Sequence, residues 1–310
     1  MTAQPGAVTG VTQPPRKRRR NLTPYLFILP HLIFFVAFLA WPFFFGIYTS
    51  LFEFDFLRPE RRPFVGLDNY IRLFDPASLQ FPHFWRSMVN TGQFILWSVP
   101  PLVIGALMLA VLLNGRFRFR GFFRMIFFAP YTLSVTAAAV LWWWIFQPRG
   151  GLINQFLGEM GVRGPNWLGS MPDAWAAITI TTVWWTIGFN TVILLAALQD
   201  IPKELYEAAS IDGANAWRRF RSITVPMLRP VLVLVITITL IASANLFGQP
   251  FIMTAGGPLQ QTEPIMFRIY VEGIQRNNMG MAAAMSVFVA SLLLVVTALN
   301  FKLFGRKETE

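Results

Sequence analysis

Residues 203–230 read KELYEAASIDGANAWRRFRSITVPMLRP. This stretch is rich in charged, polar and small residues, and a long uncharged segment lies close to it on either side. Each Lys, Arg or Asp at the centre of a membrane helix costs about 2.5–3.5 kcal/mol, so the stretch must face water. We therefore expect a water-facing connector between two helices that cross a membrane.

The composition of the whole chain indicates a membrane protein. Hydrophobic residues make up 55% of the 310 residues and charged residues only 13%, about half the charged fraction of a soluble domain. Six uncharged windows exceed the roughly 20 residues that a helix needs to cross the hydrocarbon core, and they lack the period-two alternation of a membrane barrel. We expect an all-α membrane protein with six transmembrane helices, the fifth of which ends near Ile252. The windows are residues 24–52, 87–114, 125–148, 174–199, 230–262 and 277–301.

The distribution of Lys and Arg predicts the topology. Basic residues are more frequent in the segments that would share a side with the N-terminus, beginning with Arg16–Arg20, than in those on the other side. This bias predicts that both termini are cytoplasmic, so the net charge of +11 reflects topology and does not indicate nucleic-acid binding. We expect a disordered basic N-terminal tail over 1–23, a six-helix transmembrane domain over 24–304 with the connector at 200–229, and a cytoplasmic tail over 305–310.

Catalytic and metal-binding motifs are absent from the sequence. The chain has no cysteine, and its two histidines, His31 and His83, have no nearby partner at metal-ligand spacing. Neither a phosphate-binding GxxxxGK[ST] loop nor a GxSxG nucleophile motif occurs, so we predict no catalytic residue, no metal site and no enzyme activity. Ion-driven carriers commonly place an ionisable group inside the membrane, and the six windows hold no Asp, Glu, Lys or Arg. A secondary carrier that is not driven by ATP therefore stays a distant alternative.

The connector has the pattern of a helix–turn–helix. Asp200 is a candidate N-cap for a helix with Pro202 in its first turn, and Gly213 suits the left-handed conformation that ends helices. A second short helix with Trp217 and Phe220 on one side is expected to follow. Composition alone leaves two interpretations open: a surface that another protein contacts, or an amphipathic loop that rests on lipid headgroups.

A specific signature favours the first interpretation. The connector resembles the EAA signature of ABC importer permeases, and PKELYEAASIDGA followed by FRSITVPMLRP is similar to sugar permeases of the maltose and glycerol-phosphate type. The resemblance implies a type I ABC importer permease fold and a coupling helix that contacts an ATPase. One departure is visible, since Gly248, Gln249 and Pro250 stand where the family often has an acidic residue. The implied ATPase-coupling residues are Glu207, Ala208, Ala209, Asp212, Gly213 and Ala214.

The resemblance also implies a function and partners. It implies uptake of a carbohydrate, an oligosaccharide, disaccharide or related glycoside, which an extracytoplasmic sugar-binding protein delivers. Import of glycerol-3-phosphate or its diesters by the same architecture is an alternative. The implied partners are a second permease subunit of related fold and two ATP-binding subunits, which would bind the ATP and Mg. The implied location is the cytoplasmic (inner) membrane of a bacterium or archaeon.

The resemblance also implies a substrate path between the fourth and fifth spans. Sugars are held by aromatic faces and by neutral hydrogen-bonding side chains, and several such residues recur at helical spacing in the fourth span. Polar residues within membrane helices also join helices to one another, so this role stays open for each of them. The candidate residues are Thr182, Trp185, Thr186, Phe189, Asn190, Ser243, Asn245 and Gln249.

Overall fold

The computed structural model describes residues 23–58, 60–115 and 118–304. The predicted disordered tail, apart from its last residue, and the predicted C-terminal tail at 305–310 lie outside the described residues. The chain divides into two compact units, with the boundary after Gly46.

The first unit is a single apolar helical run. It consists of α1 (Thr23–Phe35), a π-helical turn (Val36–Ala40) and the beginning of α2 (Trp41–Ser50). Pro42 has no N–H to bond the carbonyl one turn earlier, and the wider π turn ends at Ala40, two residues before it. Residues Leu26–Ser50 are long and apolar enough to cross a membrane.

The second unit is helical almost throughout. Among its described residues, pairing of extended backbone is limited to isolated bridges between Phe52 and Phe64 and between Asp55 and Asn278. The expected all-α fold is therefore confirmed. Its helices are α3 (Asp68–Phe74), α4 (Gln80–Asn114), α5 (Arg120–Phe128), α6 (Val135–Ile145), α7 (Leu152–Glu159), α8 (Asp173–Gln199), α9 (Lys203–Ile211), α10 (Ala216–Arg219), α11 (Val225–Ala244), α12 (Gly248–Met253), α13 (Ile265–Tyr270) and α14 (Met279–Phe304).

Within the described residues, five of the six expected spans are helices of membrane-crossing length. The span expected as number five along the chain ends at Met253, one residue after the expected Ile252. The third expected span was wrong as a single helix over 125–148. The chain bends there by 99° between the segments Arg120–Thr132 and Val135–Ile145. Pro130 lacks the N–H that a continuous helix needs, and a 3-10 turn takes its place. Ser134 Oγ then caps α6 by accepting the Ala137 N–H at 3.2 Å.

Small residues let the central helices approach closely. α4 packs against α8 and α11, with Ala106 and Ala110 in the buried cluster between them. On α8, a Cβ added at Gly188 would lie 2.0 Å from the carbonyl oxygen of Phe127, so the end of α5 lies directly on the α8 backbone. Such contacts are typical of helix packing in membranes, where close backbone approach replaces the hydrophobic driving force.

A buried charge cluster holds the segment between the fifth and sixth spans. Glu272 Oε1 accepts hydrogen bonds from Arg268 Nη2 and, at 2.9 Å, from Arg276 Nη1. Glu263 lies farther away, with its Oε1 3.7 Å from Arg268 Nη1. Burial raises the pKa of the Glu263 carboxyl above its ordinary value, and the nearby Arg268 opposes this effect. Asn90 Nδ2 of α4 donates to the carbonyls of Gln260 and Glu263, both at 3.0 Å, and so ties this segment to the helix core.

Candidate functional site

The connector forms the predicted helix–turn–helix. α9 covers most of the first half, and Gly213 takes the left-handed conformation at φ +77°. The expected cap was wrong: Asp200 ends α8, and α9 begins after Pro202 without a side-chain cap. Ile201 is buried in the cluster that α4, α8 and α11 share. The buried Ile201 side chain holds the chain beside the end of α8, and α9 begins after it, at Lys203.

A short second helix, separate from the fifth span, was expected in the connector. The structure differs, because this helix does not end before the fifth span. α10 continues through a π-helical turn at Phe220–Thr224 directly into α11. Pro226 has no N–H for the carbonyl one turn earlier, and the π turn accommodates this gap. The second part of the connector is therefore a rigid extension of a membrane helix.

The predicted coupling residues lie on the outer surface of the connector. Their side chains are exposed, except that Ala209 and Ala214 are half-buried. Beneath them, the hydroxyls of Tyr206 and Thr224 form a hydrogen bond of 2.9 Å. At the surface, Arg219 Nη1 donates to Ser210 Oγ at 2.7 Å and joins the two helices of the connector. The connector thus presents its signature residues to solvent while its inner side is fixed to α11 and to the core.

A cavity of about 390 Å³ lies between α8 and α11, closed by parts of α4, α12 and the bend before α6. Its size falls within the about 300–1,000 Å³ of typical small-molecule sites. All eight residues predicted for the substrate path line this cavity. They are Thr182, Trp185, Thr186, Phe189, Asn190, Ser243, Asn245 and Gln249.

Aromatic rings form one side of the cavity. The ring of Tyr131 stacks on that of Phe189 with centroids 4.8 Å apart, and it lies 6.1 Å from the ring of Trp185. Trp185 Nε1 donates to the carbonyl of Leu133 at 3.1 Å, which fixes the indole against the bend. Tyr131 was missed by the sequence reasoning. Its neighbour Pro130, inside an uncharged window, was the available signal for a bend that turns this residue inward.

Two of the predicted polar lining residues, Asn190 and Ser243, make hydrogen bonds between helices. Asn190 Nδ2 donates to Thr239 Oγ1 at 2.9 Å, and the hydroxyls of Ser98 and Ser243 are 3.1 Å apart. Asn245, at the break between α11 and α12, is exposed, and its Nδ2 donates to the carbonyl of its own helix at Ile241. Helix joining is therefore one role of Asn190 and Ser243, whereas Asn245 remains accessible from the cavity.

The cavity is electrically neutral. Among the described residues that line it, none is Asp, Glu, Lys, Arg or His. Aromatic faces combined with hydroxyl and amide groups suit a ligand that carries many hydroxyls and no charge. This chemistry can bind and release such a ligand.

Comparison with known proteins identifies the family. Residues 77–307 match the family described as binding-protein-dependent transport system inner membrane component. The chain belongs to this family. It is a multi-pass membrane protein, and the resemblance to ABC importer permeases is confirmed, because its relatives are named as permease proteins of transport systems.

Two relatives show how far the similarity to this permease extends. The trehalose/maltose transport system permease protein of Thermococcus litoralis is 37% identical, over 92% of this chain and 95% of its own length. The sn-glycerol-3-phosphate transport system permease protein of Escherichia coli is 34% identical, over 92% of this chain and 94% of its own. The expectation of a permease subunit without catalytic activity is confirmed by these names.

A solved structure has the same fold as the permease. It is the crystal structure of a bacterial alginate ABC transporter in complex with an alginate pentasaccharide-bound periplasmic protein. One of its chains superposes with a TM-score of 0.77 at 24% identity, over 91% of this chain and 93% of that chain. The expected ABC importer permease architecture is therefore confirmed at the level of the fold.

Proposed function

We propose that this permease subunit belongs to an ATP-driven importer and passes an uncharged carbohydrate through the cavity between α8 and α11. The observation that carries the proposal is the lining of aromatic rings, hydroxyls and amides without a formal charge. Stacking of Tyr131 on Phe189 presents an aromatic surface of the kind on which sugar rings pack. A relative named for trehalose and maltose transport supports the same cargo class.

An anionic cargo fits this cavity less well. Glycerol-3-phosphate or a diester would bring a phosphate charge into a site whose described lining has no Lys, Arg or His. An unpaired charge in such surroundings is strongly unfavourable, so a permease for that cargo is expected to supply a cation. The similarity to a glycerol-3-phosphate permease extends over the whole fold and leaves the cargo open.

The path from ATP to cargo follows from how the connector is attached. α9 follows α8 after three residues, and α10 continues into α11, so the connector joins the two helices that line the cavity. We assign the coupling role to Glu207, Ala208, Ala209, Asp212, Gly213 and Ala214 on its exposed surface. A partner that pushes on them would move both walls of the cavity together, as rigid elements.

The proposal includes the partners and the location. Members of the family work with binding proteins, and we propose a sugar-binding protein outside the cytoplasmic (inner) membrane of a bacterium or archaeon. Within the membrane, a second permease subunit of related fold would complete the path. Two ATP-binding subunits, with ATP and Mg bound to them, would contact the connectors.

The test begins with copurification of the tagged full-length chain from its own membranes. An ATP-binding subunit and a second permease should be recovered with it, and their absence would contradict the importer assignment. The recovered complex is then placed in liposomes together with the binding protein of the system. Uptake of a labelled compound is measured in competition with neutral mono-, di- and oligosaccharides and with sn-glycerol-3-phosphate. Competition by glycerol-3-phosphate alone would contradict the neutral cargo.

A further inference from the structure

A second cavity with the opposite chemistry lies where four helices meet end to end. Its volume is about 510 Å³, and it lies where α4 and α8 end and α5 and α9 begin. It shares no lining residue with the neutral cavity. Its polar lining residues are Asn114, Arg120, Arg124, Gln199, Lys203 and Tyr206.

The cations of this basic cavity are not neutralised within the part of the chain that the structure describes. None of Arg120, Arg124 and Lys203 forms an ion pair there. Asp200 and Glu204 are near in sequence, but both are exposed and neither lines the cavity. Two helices begin here and two end, so their partial charges of about half a unit each largely offset one another. Three formal positive charges remain.

Arg124 is held in place and still has an unused donor. It is half-buried, and its Nη2 donates to the carbonyl of Leu113 at 3.2 Å. Its Nε is buried and has no hydrogen-bond partner in the described structure. This Nε is enclosed by protein and is not exposed to the cavity, so an oxygen-rich anion there would balance the charge of the Arg124 guanidinium without bonding to Nε.

We propose that the basic cavity binds a phosphate group between Arg120, Arg124 and Lys203. Guanidinium groups bind phosphate through paired hydrogen bonds, and lysine adds a point charge. α4 and α8 are both long enough to cross a membrane, so a cavity at their ends lies at the depth of lipid headgroups. The phosphate would therefore come from an anionic phospholipid or from free inorganic phosphate. Once bound, it connects α5 to the base of α9.

The lipid source is tested by native mass spectrometry of the full-length chain in detergent with equimolar phosphatidylglycerol and phosphatidylcholine. The wild-type chain should retain phosphatidylglycerol preferentially. In the double variant Arg120→Gln/Lys203→Gln the ratio of bound phosphatidylglycerol to phosphatidylcholine should fall about ten-fold. Both residues are exposed, so folding is retained. The matched control, Arg218→Gln/Arg221→Gln, removes two exposed charges outside the cavity and should keep the wild-type ratio.

Free phosphate is tested with the same three proteins in lipid-free micelles, by the ³¹P line width of inorganic phosphate. Broadening that is lost only in the cavity variant identifies free phosphate as a ligand, and a lipid preference lost only in that variant identifies the headgroup. Either result supports the proposal. The proposal is overturned if the wild-type chain shows neither a preference for phosphatidylglycerol nor broadening of the phosphate line. That result is expected if the cavity instead receives acidic side chains of a partner protein. The proposal is also overturned if the cavity and control variants lose binding equally.

Discussion

The two cavities of this permease are similar in size and differ entirely in charge. The neutral cavity has aromatic and aliphatic walls with hydroxyl and amide groups among them, whereas the basic cavity is lined by three cations. α8 contributes to both, with Thr182 to Asn190 at the first and Leu198 and Gln199 at the second. One helix therefore lines two separate regions. The first suits a neutral ligand that passes through, and the second suits an anion that stays bound.

The largest expected effect comes from a charge placed in the neutral cavity. Thr186→Lys puts an ammonium group among uncharged walls, where an unpaired cation costs about 3 kcal/mol. We expect kcat/KM for uptake of the neutral cargo to fall about 100-fold in liposomes. Gln155→Lys, which adds the same charge at an exposed position of α7, should stay within two-fold of wild type. If both variants reduced uptake equally, transport would not depend on the absence of charge in the cavity.

The next largest effect is expected at the connector. Glu207→Lys reverses a charge on the exposed side of α9 and should reduce uptake about 30-fold, as expected for a central contact in an interface. ATP hydrolysis by the complex should persist, because the proposed ATP sites lie in the partner subunits and the variant changes only the connector. Glu204→Lys is the matched control on the same helix and should reduce uptake less than three-fold. If the two variants transport equally, the signature does not mark the contact.

A stability effect is expected at the contact between α5 and α8. Gly188→Ala would press a methyl group against the Phe127 carbonyl and should lower the free energy of unfolding by about 2 kcal/mol. An added Cβ meets nothing within 4 Å at Gly121 on α5, so Gly121→Ala should be neutral or stabilising. Thermal unfolding of the purified variants in detergent measures both. If the Gly188→Ala variant were as stable as wild type, α5 would be able to move away from α8 at little energetic cost.

A smaller effect is expected at the aromatic wall. Tyr131→Ala removes the ring that stacks on Phe189 and with it part of the aromatic surface offered to the cargo. The KM for uptake should rise about five-fold if the cargo's contact with this ring is worth about 1 kcal/mol, as aromatic contacts are. Tyr131→Phe keeps the ring and should remain close to wild type. If Tyr131→Phe were as impaired as Tyr131→Ala, the hydroxyl and not the ring would be the important group.

The smallest effect concerns pH. Since burial raises the pKa of Glu263, the native state binds a proton more tightly than the unfolded chain does. Stability should therefore fall as the pH rises from the ordinary value of 4.5 to the higher native pKa, by at most about 1.4 kcal/mol per pH unit. Glu263→Gln should remove this dependence, whereas Glu159→Gln at an exposed position should keep it. The free energy of unfolding, measured as the pH is raised from the ordinary pKa value of 4.5, distinguishes the two variants.

Sequence reasoning was most successful where the chemistry is local. Composition located the spans, and Gly213 located the turn of the connector. Helical spacing grouped Thr182, Trp185, Thr186 and Phe189 on one face of the fourth span, and the family resemblance paired that span with the fifth. Hydropathy could not detect the bend at Pro130, because it counts apolar residues and does not register a missing backbone hydrogen bond. The basic cavity also escaped prediction, since Arg124 and Lys203 are distant in sequence and meet only through helix packing.

The account is tested most directly by protection of the neutral cavity during transport. The chain has no cysteine, so Asn245→Cys and Gln199→Cys each introduce a single thiol, one at each cavity. Maleimide labelling is measured in the assembled complex during ATP turnover, with and without the neutral saccharide that it takes up. The account predicts that the saccharide slows labelling several-fold at position 245 and leaves position 199 unchanged. Equal labelling at position 245 with and without the saccharide would contradict it.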